Sequence, residues 1–218
     1  MRPRIFLIHA TPLSLAPTAD AFARLWPQAE LANLLEDALS RDRARDGRLT
    51  QAMTGRLLTL ARYAENAGAD AILFTCSAFG PAIEACRADS RIPMLKPNEA
   101  MLEEALALGA DIGLIASFPP TLPALEEELC ETARAAGKAI RVHTALAAGA
   151  MEALGAGDAA THDRLIAAAA NSLSNCDVVC LAQFSMSGAA AAAAAASGRR
   201  VLTTPDSAVA KLHRLLEP

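Results

Sequence analysis

Apolar positions along the chain fall into short runs of strand length, and longer stretches with helical spacing separate these runs. Strands that are apolar on both faces and alternate with helices are typical of a parallel sheet covered on both sides. The pattern therefore predicts an α/β fold. The clearest strands read RIFLIHA, AILFTC, IPMLKP, DIGLIAS, AIRVHTAL, DVVCLAQF and RVLTTP, and helices are predicted at 49–67, 97–109, 121–137, 158–175 and 205–217.

The two halves of the sequence repeat each other at a shift of about 107 residues. GADAILFTCSAFG resembles NCDVVCLAQFSMSG, which aligns Asp70 with Asp177 and Cys76 with Gln183. IFLIHATP resembles IGLIASFP at the same shift, and MLKPNEA resembles LTTPDSA one residue further on. Three strand ends in one order at nearly one shift indicate a duplicated unit. We expect two pseudo-symmetric three-layer subdomains, each with a parallel sheet.

Candidate site residues lie where the predicted strands end. In a doubly wound sheet, ligands bind beyond the carboxyl ends of the strands. We therefore expect an active site in the cleft between the two halves, with Cys76 and Gln183 on opposite sides of one ligand. The residues predicted at these ends are His9, Thr11, Pro12, Cys76, Ser77 and Ala78 in the first half, and Ser117, Phe118, Gln183, Phe184 and Ser185 in the second.

Cys76 ends a predicted strand and precedes Pro81, a residue suited to the first turn of a helix. A thiolate near a helix N-terminus is favoured by the helix dipole and by free backbone amides. The amides of Ser77 and Ala78 suit a carboxylate for the same reason. A free cysteine is also often a buried, inert core residue. From its position alone, Cys76 is compatible with either role.

Net charge, cysteine content and hydropathy argue against several classes of protein. The 218 residues carry a net charge of −4, so no basic field attracts nucleic acid. Five cysteines, an odd number without CxxC spacing, predict reduced thiols in the cytoplasm and neither a disulfide framework nor a metal site. The N-terminus does not read as a secretory signal, and no run of roughly 20 apolar residues predicts a membrane span.

Two segments have unusual composition. The polar stretch SRDRARDGRLTQ, residues 40–51, is predicted to be a solvated connection, with a lid over the site as the alternative. Eight alanines at 189–196 favour a helix, because alanine has the highest helix propensity.

The duplicated halves, the cysteine ending ILFTC and the closing VLTTPDSAVAKLHRLL resemble the aspartate/glutamate/hydantoin racemase superfamily, which also contains arylmalonate decarboxylase and maleate isomerase. The resemblance covers essentially the whole chain. It implies that the helices after Pro97 and Pro205 cross between subdomains. The first subdomain would then comprise 1–97 plus 205–218, and the second 98–204.

The resemblance also implies a site without metal or organic cofactor, in which two cysteines flank a small carboxylate. Cys76 matches the first cysteine, but Gln183 stands where a typical racemase has the second. An amide is neither a proton donor nor a proton acceptor for catalysis at neutral pH. Three reactions remain open: proton transfer at an α-carbon by Cys76, decarboxylation of an activated malonate, and cis–trans isomerisation of an unsaturated diacid.

The remaining candidates have both functional and structural interpretations. His9 stands where amino-acid racemases of the family carry an acidic residue, so it is a candidate base for Cys76 or a structural histidine. Gln183 and Ser185 either orient a carboxylate and stabilise developing charge, or form an ordinary helix cap. Thr11, Pro12, Ser117 and Phe118 are expected to line the pocket.

We therefore predict a cytoplasmic isomerase of the racemase type, with a lyase as the alternative. From another class, a protein that binds a small carboxylate without turning it over fits the same residues. A homo-oligomer is compatible with the sequence, and no nucleic-acid or membrane partner is expected.

Overall fold

The computed structural model describes residues 2–217, which contain two parallel sheets with helices between the strands. The strands are β1 (Arg4–His9), β2 (Glu30–Leu35), β3 (Ala71–Phe74), β4 (Met94–Leu95), β5 (Asp111–Ala116), β6 (Arg141–Leu146), β7 (Val178–Leu181) and β8 (Arg200–Thr203). The helices are α1 (Leu15–Leu25), α2 (Ala38–Asp46), α3 (Gln51–Asn66), α4 (Gly80–Ala88), α5 (Glu99–Leu108), α6 (Thr121–Ala135), α7 (Ala150–Gly155), α8 (Ala159–Asn171), α9 (Ala190–Ser197) and α10 (Thr204–Leu216). Short 3-10 helices span Pro12–Ser14, Ser77–Phe79 and Phe184–Ala189.

The two sheets have the same strand order, β2-β1-β3-β4 in the first and β6-β5-β7-β8 in the second. Their registers also agree. Ile5 is the partner of Ala71 in the first sheet, and Ile112 is the partner of Val178 in the second. These pairs are related by the same shift as the sequence repeat. The predicted α/β fold with two parallel, pseudo-symmetric units is confirmed.

In the first sheet, alternate side chains enter two separate cores, as the two-residue period of a strand requires. Ile8 and Phe74 face the cluster that includes residues of α2, α3 and α4. Leu7 and Leu73 face the opposite cluster, which includes residues of α1 and α10. Helices therefore cover both faces of the sheet and make three layers.

The second sheet is layered in the same way. Leu114 and Cys180 pack among residues of α5 and α6. Ile115 and Leu181 pack on the other face with residues of α7, α8 and α9. The alanine-rich segment does form a helix, and Ala193 is buried in this second cluster.

The chain divides into two compact units. The first contains the chain up to Glu99 together with the segment from Ala208 onward, and the second is Ala100–Ser207. The boundaries lie at the start of α5 and within the first turns of α10.

An aspartate precedes the third strand of each sheet and binds the backbone of the neighbouring strand. Asp70 Oδ2 accepts a hydrogen bond from the Arg4 N–H at 2.7 Å. Asp177 Oδ2 accepts from the N–H groups of Ala110 and Asp111 at 2.8 and 2.9 Å. A Cβ at Gly109 would lie 2.2 Å from the Asp177 Cβ, so this position requires glycine. The repeated aspartate is thus explained by sheet structure.

The sequence prediction differs from the structure at β2, β4, α1 and α2, and it also omits α7. β2 reads ELANLL, an edge strand without a continuous apolar run, and neither it nor α1 was predicted. Residues 38–46 of the supposed polar connection form α2, which buries Leu39 and is held by ion pairs such as Arg56–Asp42. IPMLKP contributes only two strand residues, because prolines on both sides lack the N–H that a ladder needs.

Within residues 2–217, none of the helices is long and apolar enough to cross a membrane.

Candidate active site

Cys76 lies at the carboxyl edge of the first sheet, two residues after the end of β3. Thr75 is buried, Cys76 is half-buried, and the 3-10 helix Ser77–Phe79 follows at once and leads into α4. The thiol packs against the same cluster as Ile8 and Phe74. Pro81 occupies the first turn of α4, as expected. The thiol is therefore held at the sheet edge and remains partly accessible.

Burial raises the pKa of the Cys76 thiol above its ordinary value. The Ala78 N–H and the Ser40 hydroxyl act in the opposite direction and lower this pKa, but their effect is smaller. The Cys76 side chain makes no capping hydrogen bond to the 3-10 helix that follows it. The sequence favoured a thiolate at a helix N-terminus. In the structure desolvation is the larger effect, and the proton stays on the sulfur at neutral pH.

Ser40 connects α2 to this edge. Its single O–H proton has two acceptors, the Ala10 carbonyl at 2.6 Å and the Cys76 sulfur, whose pKa it lowers when it is directed there. Ala10 belongs to the buried cluster against which Cys76 packs. The polar segment therefore supplies a residue to the edge that carries the thiol.

His9 is fully buried at the end of β1, and both of its ring nitrogens are engaged. Nε2 lies 3.0 Å from Asn33 Oδ1, while Nδ1 lies 2.9 Å from both Ser14 Oγ and Thr75 Oγ1. Burial lowers the pKa of His9, and the bond to Asn33 raises it by less. Among the described residues, His9 has no hydrogen bond to Cys76. Its predicted role as a base stays a prediction, and its nearest chemical connection to Cys76 is through Thr75.

Other predicted residues of the first unit occupy the two loops at this edge. Thr11 caps the 3-10 helix after β1, where its Oγ1 accepts a hydrogen bond from the Leu13 N–H at 3.4 Å. Pro12, Ser77 and Ala78 are exposed, and Ala78 presents its N–H toward the Cys76 sulfur.

Gln183 occupies the matching edge of the second unit. Its Oε1 accepts hydrogen bonds from the Ser117 N–H at 2.7 Å and from the Ser117 hydroxyl at 2.9 Å. Because both Ser117 groups donate, the side-chain atom that they contact is the Gln183 oxygen. The two N–H donors of the Gln183 amide nitrogen are not used in these bonds. Within residues 2–217, no acceptor is bound to that nitrogen. The structure thus brings Ser117 and Gln183 together, joined by two hydrogen bonds.

The neighbours of this pair differ in exposure. Phe118 is 45% exposed, whereas Phe184 is 5% exposed and packs inward at the start of its 3-10 helix. Ser185 is half-buried. The binding roles of these three residues stay predictions.

The other cysteines differ from Cys76 in their surroundings. Cys180 is fully buried in the cluster on the face opposite Gln183, as the strand alternation predicts, and burial raises its pKa. Burial likewise raises the pKa of Cys86 to about 11. Within residues 2–217, no group of three or more His, Cys, Asp or Glu residues is arranged to hold a metal ion.

The sequence did not single out four residues that the structure places around these edges: Ser14, Asn33, Ser40 and Thr75. Asn33 and Ser40 lie in β2 and α2, two elements absent from the sequence prediction. Thr75 precedes Cys76, and strand alternation was a usable signal that it shares a sheet face with His9.

Comparison with known proteins gives a consistent result. A family model described as Asp/Glu/Hydantoin racemase matches residues 18–212. The search of curated proteins found no match.

Solved structures share the fold at low sequence identity. A glutamate racemase from Bacillus anthracis is 13% identical, with 99% of this chain and 82% of that chain covered and a TM-score of 0.73. An allantoin racemase from Klebsiella pneumoniae is 15% identical, with 98% and 87% covered and a TM-score of 0.75. Arylmalonate decarboxylase is 18% identical, with 98% and 92% covered and a TM-score of 0.67. Since the family model spans most of the sequence and these structures share its fold, the chain belongs to the Asp/Glu/hydantoin racemase family.

Proposed function

We propose that this protein is a cofactor-independent enzyme that transfers a proton at the α-carbon of a small carboxylate, an amino acid or a related acid. Cys76 is the acid/base. The observation that carries the proposal is the half-buried thiol at the carboxyl edge of a parallel sheet, beside the Ala78 N–H and the Ser40 hydroxyl. Family membership supports the reaction class.

The protonation state of Cys76 favours one direction of proton transfer. Removing an α-proton requires a thiolate, whereas delivering a proton to an enediolate requires a thiol. Because burial raises the pKa of Cys76, the thiol is the resting form at neutral pH. This arrangement supports proton delivery directly, and α-proton removal needs the thiolate to form first.

Gln183 supports a second candidate reaction, decarboxylation of an activated malonate. In this reaction the C–C bond to one carboxylate breaks, carbon dioxide leaves, and the electron pair remains as an enediolate. The Cys76 S–H protonates the α-carbon, and the thiolate regains its proton from solvent. One thiol is enough. The amide at Gln183 is compatible with this scheme, since it leaves the aligned position without a thiol.

Cis–trans isomerisation has less support from the same thiol. It begins with addition of a thiolate to a double bond, and the raised pKa keeps Cys76 protonated.

We propose that Gln183 contacts the substrate. The two Ser117 donors hold its Oε1, so the amide nitrogen is directed as a donor toward a carboxylate or a developing enolate. The N–H groups of the exposed residues Ser77 and Ala78 are proposed as carboxylate donors beside Cys76, with the Ala78 N–H shared between the substrate and the sulfur. Thr11, Pro12, Phe118, Phe184 and Ser185 are proposed to line the binding site.

The test is incubation of the wild-type protein in D₂O with amino acids, an arylmalonate and an unsaturated diacid, followed by NMR. Racemisation gives α-deuteration with inversion, and decarboxylation gives carbon dioxide with one deuterium in the product. The proposal is supported if the wild type shows either racemisation or decarboxylation and the Cys76→Ser variant does not. Binding of these acids without exchange or carbon dioxide release would identify a non-catalytic binder and overturn it.

A further inference from the structure

A polar cluster, buried except for the exposed Asn33, lies beneath the edge that carries Cys76. Its members, called here the His9 cluster, are His9, Ser14, Asn33 and Thr75. The His9 ring bridges Asn33 at 3.0 Å to the two hydroxyls at 2.9 Å, and the hydroxyls of Ser14 and Thr75 are 2.9 Å apart. His9, Ser14 and Thr75 are each at least 95% buried.

The hydrogen bonds define one proton arrangement. Asn33 Oδ1 is an acceptor, so Nε2 of His9 carries the ring proton and Nδ1 accepts. A hydroxyl proton from Ser14 or Thr75 therefore points at Nδ1. The backbone carbonyl of Thr11, 3.0 Å from Ser14 Oγ, gives the Ser14 proton an alternative acceptor. The Thr75 hydroxyl lies 2.9 Å from Nδ1 and 3.4 Å from the Ile8 carbonyl, so the shorter contact directs its proton to His9 and makes the imidazole a neutral anchor for the Thr75 side chain.

The other half of the chain shows that the fold does not need this cluster. At the repeat shift, His9 aligns with Ala116 and Thr75 aligns with Ala182. Both alanines are buried, at 0% and 3% exposure, in a sheet of the same order and register. Burying polar groups is unfavourable unless they are paired, so an apolar pair is the simpler solution. The polar version occurs in the half that carries the thiol.

The His9 cluster includes Thr75, the residue immediately before Cys76, and lies on the face of the sheet opposite to the one that Cys76 packs against. Thr75 follows the last paired residue of β3, Phe74; its side chain contacts His9 at 2.9 Å and its N–H donates to the Ile8 carbonyl at 3.1 Å. Cys76 belongs to the cluster of Ile8 and Phe74, whereas Thr75 and His9 alternate to the other side. His9 therefore reaches Cys76 through Thr75, by fixing the residue from which the Cys76 backbone departs.

We propose that His9 is a positioning residue that, through Thr75, fixes the backbone at the end of β3 and so holds the Cys76 sulfur in its reactive orientation. The proposal rests on the proposed function of Cys76. It differs from a base role, because the imidazole keeps its own proton on Nε2 and exchanges none with the sulfur.

The test uses a pair of variants that keep the core filled. His9→Leu/Thr75→Val replaces both partners by apolar groups of similar size, as the second half does with alanines; Ser14 retains the Thr11 carbonyl. Thr75→Ser is the matched control, since it keeps the hydroxyl. Alkylation of Cys76 by iodoacetamide is followed against pH by mass spectrometry, a reaction in which the S–C bond forms and iodide leaves. Urea unfolding reports folding.

We expect the double variant to unfold cooperatively but to show an altered alkylation profile. Its limiting rate constant or its pH midpoint should differ from wild type, and kcat should fall about tenfold with a smaller change in KM. Thr75→Ser should retain the wild-type profile. A folded double variant with the wild-type profile and kcat overturns the proposal. If the double variant fails to fold, Thr75→Val alone is compared with Thr75→Ser, and equal profiles overturn it.

The alkylation assay needs no substrate, so it separates this proposal from the proposed function. Loss of the reaction in Cys76→Ser tests the function, and the alkylation profile of the double variant tests the positioning role.

Discussion

The side-chain oxygen of Gln183 is held by both polar groups of one residue, the N–H and the hydroxyl of Ser117, at 2.7 and 2.9 Å. In the first unit the residue that aligns with Ser117 is Ala10, whose carbonyl instead accepts from Ser40. The two edges that the repeat relates are therefore built differently. One presents a thiol, and the other an amide whose oxygen is held by two hydrogen bonds.

Ser117→Ala removes one of the two donors to Gln183 and leaves the backbone donor in place. We expect the free energy of unfolding to fall by about 1 kcal/mol, since Ser117 is buried and its bond is well formed. Urea unfolding measures this change. Ser172→Ala is the control, because its bond to the Ala169 carbonyl is exposed and its loss should have little effect. Equal stabilities of the two variants would contradict the account.

The rate of Cys76 alkylation should increase only at a pH higher than that at which an ordinary thiol ionises. Its pKa lies above the ordinary thiol value of 9.0, so alkylation by iodoacetamide should still be increasing above pH 9. Ser40→Ala removes an influence that lowers this pKa, and we expect the midpoint to move further up. Peptide mass spectrometry separates Cys76 from the half-buried Cys130. If the alkylation rate of Cys76 reached half its maximum at a lower pH than that of free cysteine, the predicted rise in the pKa of Cys76 would be contradicted.

Acid should destabilise the protein partly through His9. Burial lowers its pKa in the folded state, while the unfolded value stays near 6.5. The unfolded chain then binds the proton first, so the stabilisation is complete above 6.5 and is lost as pH falls through and below that value. Urea unfolding from pH 8 to 5 should show a shallower decline in His9→Leu/Thr75→Val, since the other histidines are unchanged. Parallel pH dependences in the two proteins would show that His9 is not involved.

Gly109 and Gly55 should respond to alanine in opposite directions. A Cβ at Gly109 meets the Asp177 side chain at 2.2 Å, so Gly109→Ala should destabilise the protein by about 1–3 kcal/mol. Gly55 lies within α3 with open space around it, and Gly55→Ala should stabilise by about 0.5–1 kcal/mol through helix propensity. Both values come from urea unfolding. A neutral Gly109→Ala would contradict the close approach.

The sequence predicts most strands, five of the longer helices and the duplication, because buried parallel strands are continuous apolar runs that periodicity detects. β2 escapes prediction because an edge strand such as ELANLL alternates only weakly. α2 escapes because its single buried Leu39 stands among arginines and aspartates, whose ion pairs hold the helix together.

Of the candidate site, strand-end position identifies Cys76 and Gln183, and alignment of the repeat pairs them. The sequence cannot show that burial outweighs the helix N-terminus at Cys76, because that balance depends on how the thiol packs against a cluster assembled from several elements. Nor does it show that His9 bonds Thr75, since Asn33 and Ser14 come from elements that only the fold brings together.

The measurement that tests the central claim most directly is solvent deuterium incorporation at the α-carbon of a substrate the wild type turns over. It is compared in the wild type, Cys76→Ala and Cys130→Ala, with thermal unfolding as the check on folding. We predict wild-type incorporation in Cys130→Ala and a loss of at least about 100-fold in a folded Cys76→Ala. Incorporation by Cys76→Ala within a few-fold of wild type would contradict the assignment of Cys76 as the acid/base.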